Sequence, residues 1–289
     1  GWWNILPKNF IKWIRLGRFD RPVGFWLLVL PSWWVLPLTN LNLKNCVMLM
    51  FIFFIGSISM RAAGCTINDM WDKDIDKKIS RTKIRPLAKG EISNLQASFF
   101  LIVMLSIGFI CLYQLNINTW FIALSAMPLV ILYPLAKRFT KWPQIILGLT
   151  FSWAVPTAWS AANEEWNLGI FIMYLATVFW IIGYDTIYGC QDKNEDEIFG
   201  VKNSAVSAKN FLTIFVGCAY SLMFILLIIS GYLLNNSYFW YIGVLICGLH
   251  LIRQVIKLKN IEQNSPLQIF KSNVVVGLLL TLSSLGNYI

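Results

Sequence analysis

CVMLMFIFFIGSISMRAAGCTINDMWDKDID, residues 46–76, begins as an apolar run and ends in acids, and both halves matter. Residues 46–66 hold a single charge, Arg61. Their length matches the roughly 20 residues a helix needs to cross about 30 Å of hydrocarbon. Backbone inside lipid must satisfy its own hydrogen bonds, and a run this long exceeds a barrel strand, so a transmembrane helix is predicted. Residues 68–76 then place four aspartates and an asparagine at its end.

The same apolar signature recurs along the chain at 23–40, 95–113, 119–136, 145–162, 168–188, 210–234, 238–253 and 270–289, making nine predicted spans, of which the eighth is the shortest. Composition agrees: 57% of residues are hydrophobic and 13% charged, against about 25% charged in soluble domains. The expected fold is all-α and polytopic, a single membrane domain over residues 1–289. Residues 1–21, with Trp2, Trp3 and Trp13 among Lys8, Lys12, Arg15 and Arg18, form its interfacial amphipathic segment.

A net charge of +10 raises the question of nucleic acid, but its distribution answers it. With a cytoplasmic N-terminus, nine spans leave only Lys44 of the 24 Lys and Arg on the far side, and the outward loops 114–118, 163–167 and 235–238 hold none. This is the positive-inside pattern, so the basic charge reports topology, and no nucleic-acid partner is expected. The six cysteines form no CxxC pair, and the only histidine is His250, inside a span. The cysteines are read as apolar packing residues and His250 as structural.

Nine of the 14 acidic residues fall in two cytoplasmic clusters, four spans apart. In the first, Asn68, Asp72 and Asp76 repeat every fourth residue and Asp69 joins them, so all four share roughly one helical face, while Asp74 is out of step. In the second, Asp185, Asp192 and Asp196 stack at spacings of seven and four. Stacked like charges destabilise a helix and call for a cation. All-oxygen ligands favour Mg²⁺ or Ca²⁺, and magnesium is typically shared between a few carboxylates and substrate phosphates. An EF-hand is excluded by spacing.

Cations around the clusters suit those phosphates: Arg81 and Arg85, Arg138 at the end of the fourth span, and Lys193 beside the second cluster. Lys77, Lys78, Lys89, Lys257 and Lys259 are read instead as topological charges that pair with lipid headgroups. The 20 Phe, 14 Trp and 10 Tyr are mostly packing or lipid-facing side chains. Tyr133, Tyr184 and Tyr188 stand out because they lie near the motif-bearing helix ends, where aromatic faces can stabilise a cation.

Asn68–Asp76 and Asp192–Asp196 resemble the NDxxDxxxD and DxxxD motifs of the UbiA superfamily of intramembrane aromatic prenyltransferases. Residues 18–24, 61–65, 81–86, 133–138 and 183–188 extend the likeness, in the family's order, and are most similar to the branch that prenylates 4-hydroxybenzoate. The resemblance implies about nine helices around a central cavity open to the cytoplasmic side and to lipid. It also implies Mg²⁺ between the two motifs and a polyprenyl diphosphate. Asn68, Asp72, Asp76, Asp192 and Asp196 would hold the metal, with Asp69 in support. Arg81, Arg85, Arg138 and Lys193 would face the diphosphate. Arg61, or Arg18 and Arg21, would grip the carboxylate of the aromatic acid, and Asp185 would be a ligand or polarise the phenol. Tyr188 would line the substrate site. Sister enzymes with other acceptors are the near rivals, and a cation-coupled transporter is the distant one. No Arg- and Ser-rich transit segment is visible, which favours a bacterial plasma membrane over its alternative, the mitochondrial inner membrane.

Overall fold

A computed structural model describes residues 5–79, 82–191, 204–208, 211–259 and 265–289, without the side chains of residues 8, 134, 135 and 137–139. The described residues are mostly helical and contain no strand. Among the described residues, each of the nine expected spans falls on one or more helices. Six helices among the described residues are long and apolar enough to cross a membrane individually, and Val23–Leu38 and Ile117–Tyr133 are shorter apolar helices. The protein is a multi-pass membrane protein.

The chain packs as two compact units, one of Gly1–Val29 with Phe51–Leu115 and one of Leu30–Met50 with Asn116–Ile289. Helices α2 (Val23–Val35) and α3 (Leu43–Trp71) carry the chain from one to the other.

Helix α3, which enters the first unit at Phe51, has 29 residues. At 1.5 Å per residue it is about 43 Å long, well beyond a hydrocarbon layer of about 30 Å. Its last turn carries Asn68 and Asp69. The short helix α4 (Lys73–Asp76) follows almost without a break, since Asp72 N–H donates to Asn68 O at 2.9 Å and Asp76 N–H to Asp72 O at 2.8 Å. Pro86 opens α5 (Pro86–Lys89), and Gly90 closes it at φ 77°, a conformation that a side chain would oppose. Ser93 and Gln96 form a reciprocal capping box that starts α6 (Asn94–Tyr113). The amphipathic α1 (Lys8–Leu16) buries Leu16 against Leu87, Ile92 and Ala97, with Trp13, Met70 and Phe100 packed around them.

The second unit is built on α11 (Leu168–Gly189), which is largely buried. The predicted fourth span is α7 (Ile117–Ser125) followed by α8 (Met127–Phe139), and the fifth is α9 (Pro143–Phe151) followed by α10 (Ala154–Ala161). Pro128 and Pro156 lack the N–H that would continue the ladder, which is why both spans are interrupted. A short helix, α12 (Ser204–Ser207), precedes α13 (Leu212–Leu233) and α14 (Tyr238–Lys259); the ninth span is α15 (Pro266–Lys271), α16 (Asn273–Ser284) and a 3-10 turn. The buried Gln254 and Asn273 side chains are paired, as low dielectric requires. Gln254 Oε1 accepts from Tyr220 Oη at 2.9 Å and Asn273 Nδ2 at 3.2 Å, and Asn273 Oδ1 accepts from Trp180 Nε1 at 3.0 Å. Cys46, Cys65, Cys111 and Cys247 are buried and unbridged, in keeping with packing roles.

Candidate functional site

The near-continuous α3–α4 helix brings four of the predicted ligands onto two successive turns. Asp69 and Asp76 are 1% and 4% exposed, whereas Asn68 and Asp72 are half-buried. Carboxylates buried so deeply need compensating charge. Arg18 Nη2 donates to both oxygens of Asp69, at 2.7 and 2.9 Å. Arg85 Nη1 lies 3.1 Å from Asp69 Oδ1 and donates to Asp76 Oδ2 at 2.7 Å. The result is a chain of alternating charge, Arg18–Asp69–Arg85–Asp76, assembled from α1's exit, α3, α4 and the approach to α5.

Arg18 reaches Asp69 by an unusual backbone route. It sits at φ 58°, left-handed for a non-glycine residue. Its Nη1 also donates to Arg15 O at 2.6 Å, closing the end of α1. Thr82 Oγ1 donates to Asp76 O at 3.1 Å, and Lys73 Nζ to Asn94 Oδ1 at 2.9 Å, so the turns after α3 are held at both sides. Asp74 stands apart: it is 88% exposed and pairs with Lys77 at 2.7 Å. The Lys77 hydrogen bond and charge hold its carboxyl below the ordinary range.

Arg61, two turns before the motif on α3, lies against α2. A methyl group on Gly24 would stand 2.7 Å from Arg61 Nε and 3.1 Å from Nη2, so only glycine admits the guanidinium this closely. In the second unit, Asp185 and Tyr188 are half-buried on the last turns of α11. Tyr184 and Tyr188 both pack on Phe270, with ring centroids 5.6 and 4.6 Å away. Thr186 and Ser204 share a hydrogen bond at 2.8 Å, and Ser204 N–H donates to Gln144 Oε1 at 3.0 Å, which returns α12 to α11 and α9.

Arg81, Asp192, Lys193 and Asp196 lie outside the described residues, as does the Arg138 side chain. Among the described residues, no three acidic, histidine or cysteine side chains converge to ligate a metal. The donor types around Asn68–Asp76 fit a hard cation. Their arrangement here is arginine-paired, so a cation on Asp76 would compete with Arg85. The Arg18–Asp69 clamp was not anticipated from sequence, which offered Arg18 as a grip for substrate. The Gln254–Asn273–Tyr220 network was also missed. Its available signal was Asn273 within the predicted ninth span, where a polar side chain is costly and therefore purposeful, while Gln254 falls one residue past the predicted eighth.

The model of the UbiA prenyltransferase family matches residues 26–278, running through both units. The chain is 39% identical to "4-hydroxybenzoate polyprenyltransferase, mitochondrial" of Drosophila melanogaster, over 93% of this chain and 69% of that one. It is 37% identical to the protein of the same name from Rattus norvegicus, over 98% and 77%. Among solved structures, an apo UbiA homolog from Aeropyrum pernix K1 has a TM-score of 0.76 at 20% identity, covering 92% of this chain and 98% of its own. A UbiA homolog from Archaeoglobus fulgidus bound to GPP and Mg²⁺ has a TM-score of 0.69 at 20% identity, covering 96% and 99%.

Proposed function

The chain belongs to the UbiA prenyltransferase family, and we propose that it transfers a polyprenyl group to the ring of 4-hydroxybenzoate, ortho to the hydroxyl, in ubiquinone biosynthesis. The observation that carries this is relatives of that name at 37–39% identity over nearly the whole chain. The arginine-laced acidic helix end supports it physically, because anionic oxygens and their cations are already gathered there. The GPP- and Mg²⁺-bound homolog from Archaeoglobus fulgidus supports magnesium as the cation and a prenyl diphosphate as the donor.

Asn68, Asp72 and Asp76 would hold the metal together with Asp192 and Asp196, with Asp69 as the buried support. Bound there, magnesium supplies Lewis-acid charge against the departing diphosphate. Arg85 sits between two of these acids and is the described cation best placed to donate to phosphate oxygens, with Arg81, Arg138 and Lys193 as further partners. Cleavage of the allylic C–O bond gives a carbocation and free diphosphate. The ring carbon beside the phenol hydroxyl attacks that cation, and its proton then leaves to a base. Arg61 orients the ring by pairing with the carboxylate across it. Tyr188 offers an aromatic face to the cation, and Asp185 is a further ligand or polarises the phenol. The relatives carry "mitochondrial" in their names, which favours the mitochondrial inner membrane over a bacterial plasma membrane.

The test is purified protein with labelled polyprenyl diphosphate, magnesium and a panel of acceptors. The expected outcome is a lipid-soluble prenylated 4-hydroxybenzoate with stoichiometric diphosphate, abolished by chelator. Faster turnover of homogentisate or dihydroxynaphthoate would overturn the acceptor and leave the metal chemistry standing.

A further inference from the structure

Helix α14 ends in a row of polar side chains. His250, Arg253 and Lys257 follow at spacings of three and four, so they share a face, with Gln254 beside them. Together with Ser265, Gln268, Ile269 and Ser272 they line a hollow of about 170 Å³. At roughly 30 Å³ per water, that is space for a phosphate group with some hydration. No acid is among the described lining residues; Glu262, in the connecting segment, lies outside the described residues.

The floor of this hollow is fixed. Ser272 Oγ donates to Ile269 O at 2.8 Å, accepts from Gln254 Nε2 at 3.0 Å and lies 3.2 Å from His250 Nε2. Gln254 is tied in turn to Tyr220 and Asn273, and Asn273 to Trp180 of α11. The rim is cationic and exposed. Alongside it runs a second exposed row on the same helix, Leu245, Leu249, Ile252 and Ile256. On a membrane-spanning helix such a row faces acyl chains. Arg253 and Lys257 therefore sit where an apolar, lipid-facing stripe meets a polar hollow at the basic end of the helix. Basic pockets at that depth between transmembrane helices suit acidic headgroups.

We propose that this hollow seats the phosphate of an anionic phospholipid, with Arg253 and Lys257 on its oxygens and its acyl chains along Leu249, Ile252 and Ile256. A soluble phosphate would use the same cations but gain nothing from the apolar row, which is why the lipid is the chosen occupant. Bound there, the headgroup ties α14 to α15 at the edge of the network that reaches α11.

Native mass spectrometry of the purified full chain, released from nanodiscs of mixed phosphatidylglycerol and phosphatidylcholine, tests this without any activity readout. The wild type should retain phosphatidylglycerol preferentially. Arg253→Gln with Lys257→Gln should lower that retention roughly thirtyfold, at the usual attraction of two basic residues for an anionic leaflet. Arg253→Lys with Lys257→Arg should preserve it, separating lost charge from lost fold. Lys259→Gln, outside the hollow, should have no effect. Equal retention of the two lipids, an unaffected double variant, or an equal loss from Lys259→Gln would each overturn the proposal. So would displacement of the lipid by excess inorganic phosphate, which would assign the hollow to a soluble anion.

Discussion

Arg85 and Asp76 are nine residues apart and meet at 2.7 Å, and the same guanidinium nitrogen lies 3.1 Å from Asp69. Arg85 is thus a cation bridging two buried acids of the proposed metal motif. A carboxylate given to arginine is not given to metal, so the two compete for Asp76. Arg85→Ala should therefore tighten magnesium binding in the absence of prenyl donor while lowering kcat/KM for the donor roughly 10- to 100-fold, the scale of one or two charge-assisted hydrogen bonds. Isothermal titration with magnesium, beside steady-state kinetics, reads both. Weaker magnesium binding together with unchanged kinetics would remove Arg85 from both roles.

Arg18 and Asp69 are separated by 51 residues and should be energetically coupled. Removing Asp69 takes the acid partner from a part-buried Arg18, and removing Arg18 leaves the buried Asp69 with Arg85 as its cation. Arg18→Gln and Asp69→Asn should each lower thermal stability, and the double variant should cost less than their sum by roughly 1.5–3 kcal/mol. Arg18→Lys should rescue only part, because one compact ammonium does not reproduce the contacts to both Asp69 and Arg15 O. Strict additivity in thermal unfolding of the four proteins would mean the pair contributes nothing.

Asp72→Asn and Asp192→Asn should each nearly abolish turnover at limiting magnesium while leaving the protein folded, since each removes the charge of one proposed ligand. Asp74→Asn is the contrast, because Asp74 is exposed and pairs with Lys77. A carboxyl held below its ordinary range adds stability above the unfolded pKa, and that stability fades as pH falls through the folded value. At an exposed site solvent screens it. Asp74→Asn should accordingly leave both activity and the acid limb of the stability profile close to wild type. Loss of turnover in Asp74→Asn equal to that in Asp72→Asn would break the one-face model of the motif.

The spans and the acidic helix end were legible because both are local: hydropathy over about 20 residues marks a crossing, and a four-residue period marks a face. Where local signals stop, so did the reading. Residues 238–253 were expected as the eighth span, yet α14 continues to Lys259. Arg253, Gln254 and Lys257 lower hydropathy without interrupting backbone hydrogen bonding. The Arg18–Asp69 clamp depends on a left-handed residue at the end of α1 and on a contact across 51 residues. Neither has a signature in one sequence. Nor did hydropathy reveal the breaks at Pro128 and Pro156, because proline is tolerated within membrane helices and its position alone does not say whether a helix bends or restarts.

Topology gives a prediction independent of chemistry. In a cysteine-free background, single cysteines at Ser93 and Asn163 should label from opposite faces of the membrane, with Ser93 on the side rich in Lys and Arg. Between them lie α6, the α7–α8 pair and the α9–α10 pair, three crossings and therefore a change of side. Labelling from the same face would mean that one interrupted pair is re-entrant and does not span.

Gly24 supplies a way to probe Arg61 without touching its charge. A methyl group there would stand 2.7 Å from Arg61 Nε, inside any real carbon–nitrogen contact, so Gly24→Ala must push the guanidinium aside. A carboxylate grip depends on placement as well as charge, because a fork that no longer faces the acid loses its paired hydrogen bonds. If Arg61 holds the acceptor's carboxylate, Gly24→Ala and Arg61→Gln should both raise KM for 4-hydroxybenzoate, by about 10-fold or more at the value of one charge-assisted hydrogen bond. KM for the prenyl diphosphate should hardly move in either. A neutral phenol, which lacks the carboxylate, should be a poor substrate for the wild type and lose nothing further in the variants. Those paired substrates separate the grip from general damage at the α2–α3 contact, since misfolding would depress turnover of the acid and the phenol alike. Equal losses with both acceptors, or a rise in donor KM alone, would move Arg61 from the acceptor to the diphosphate.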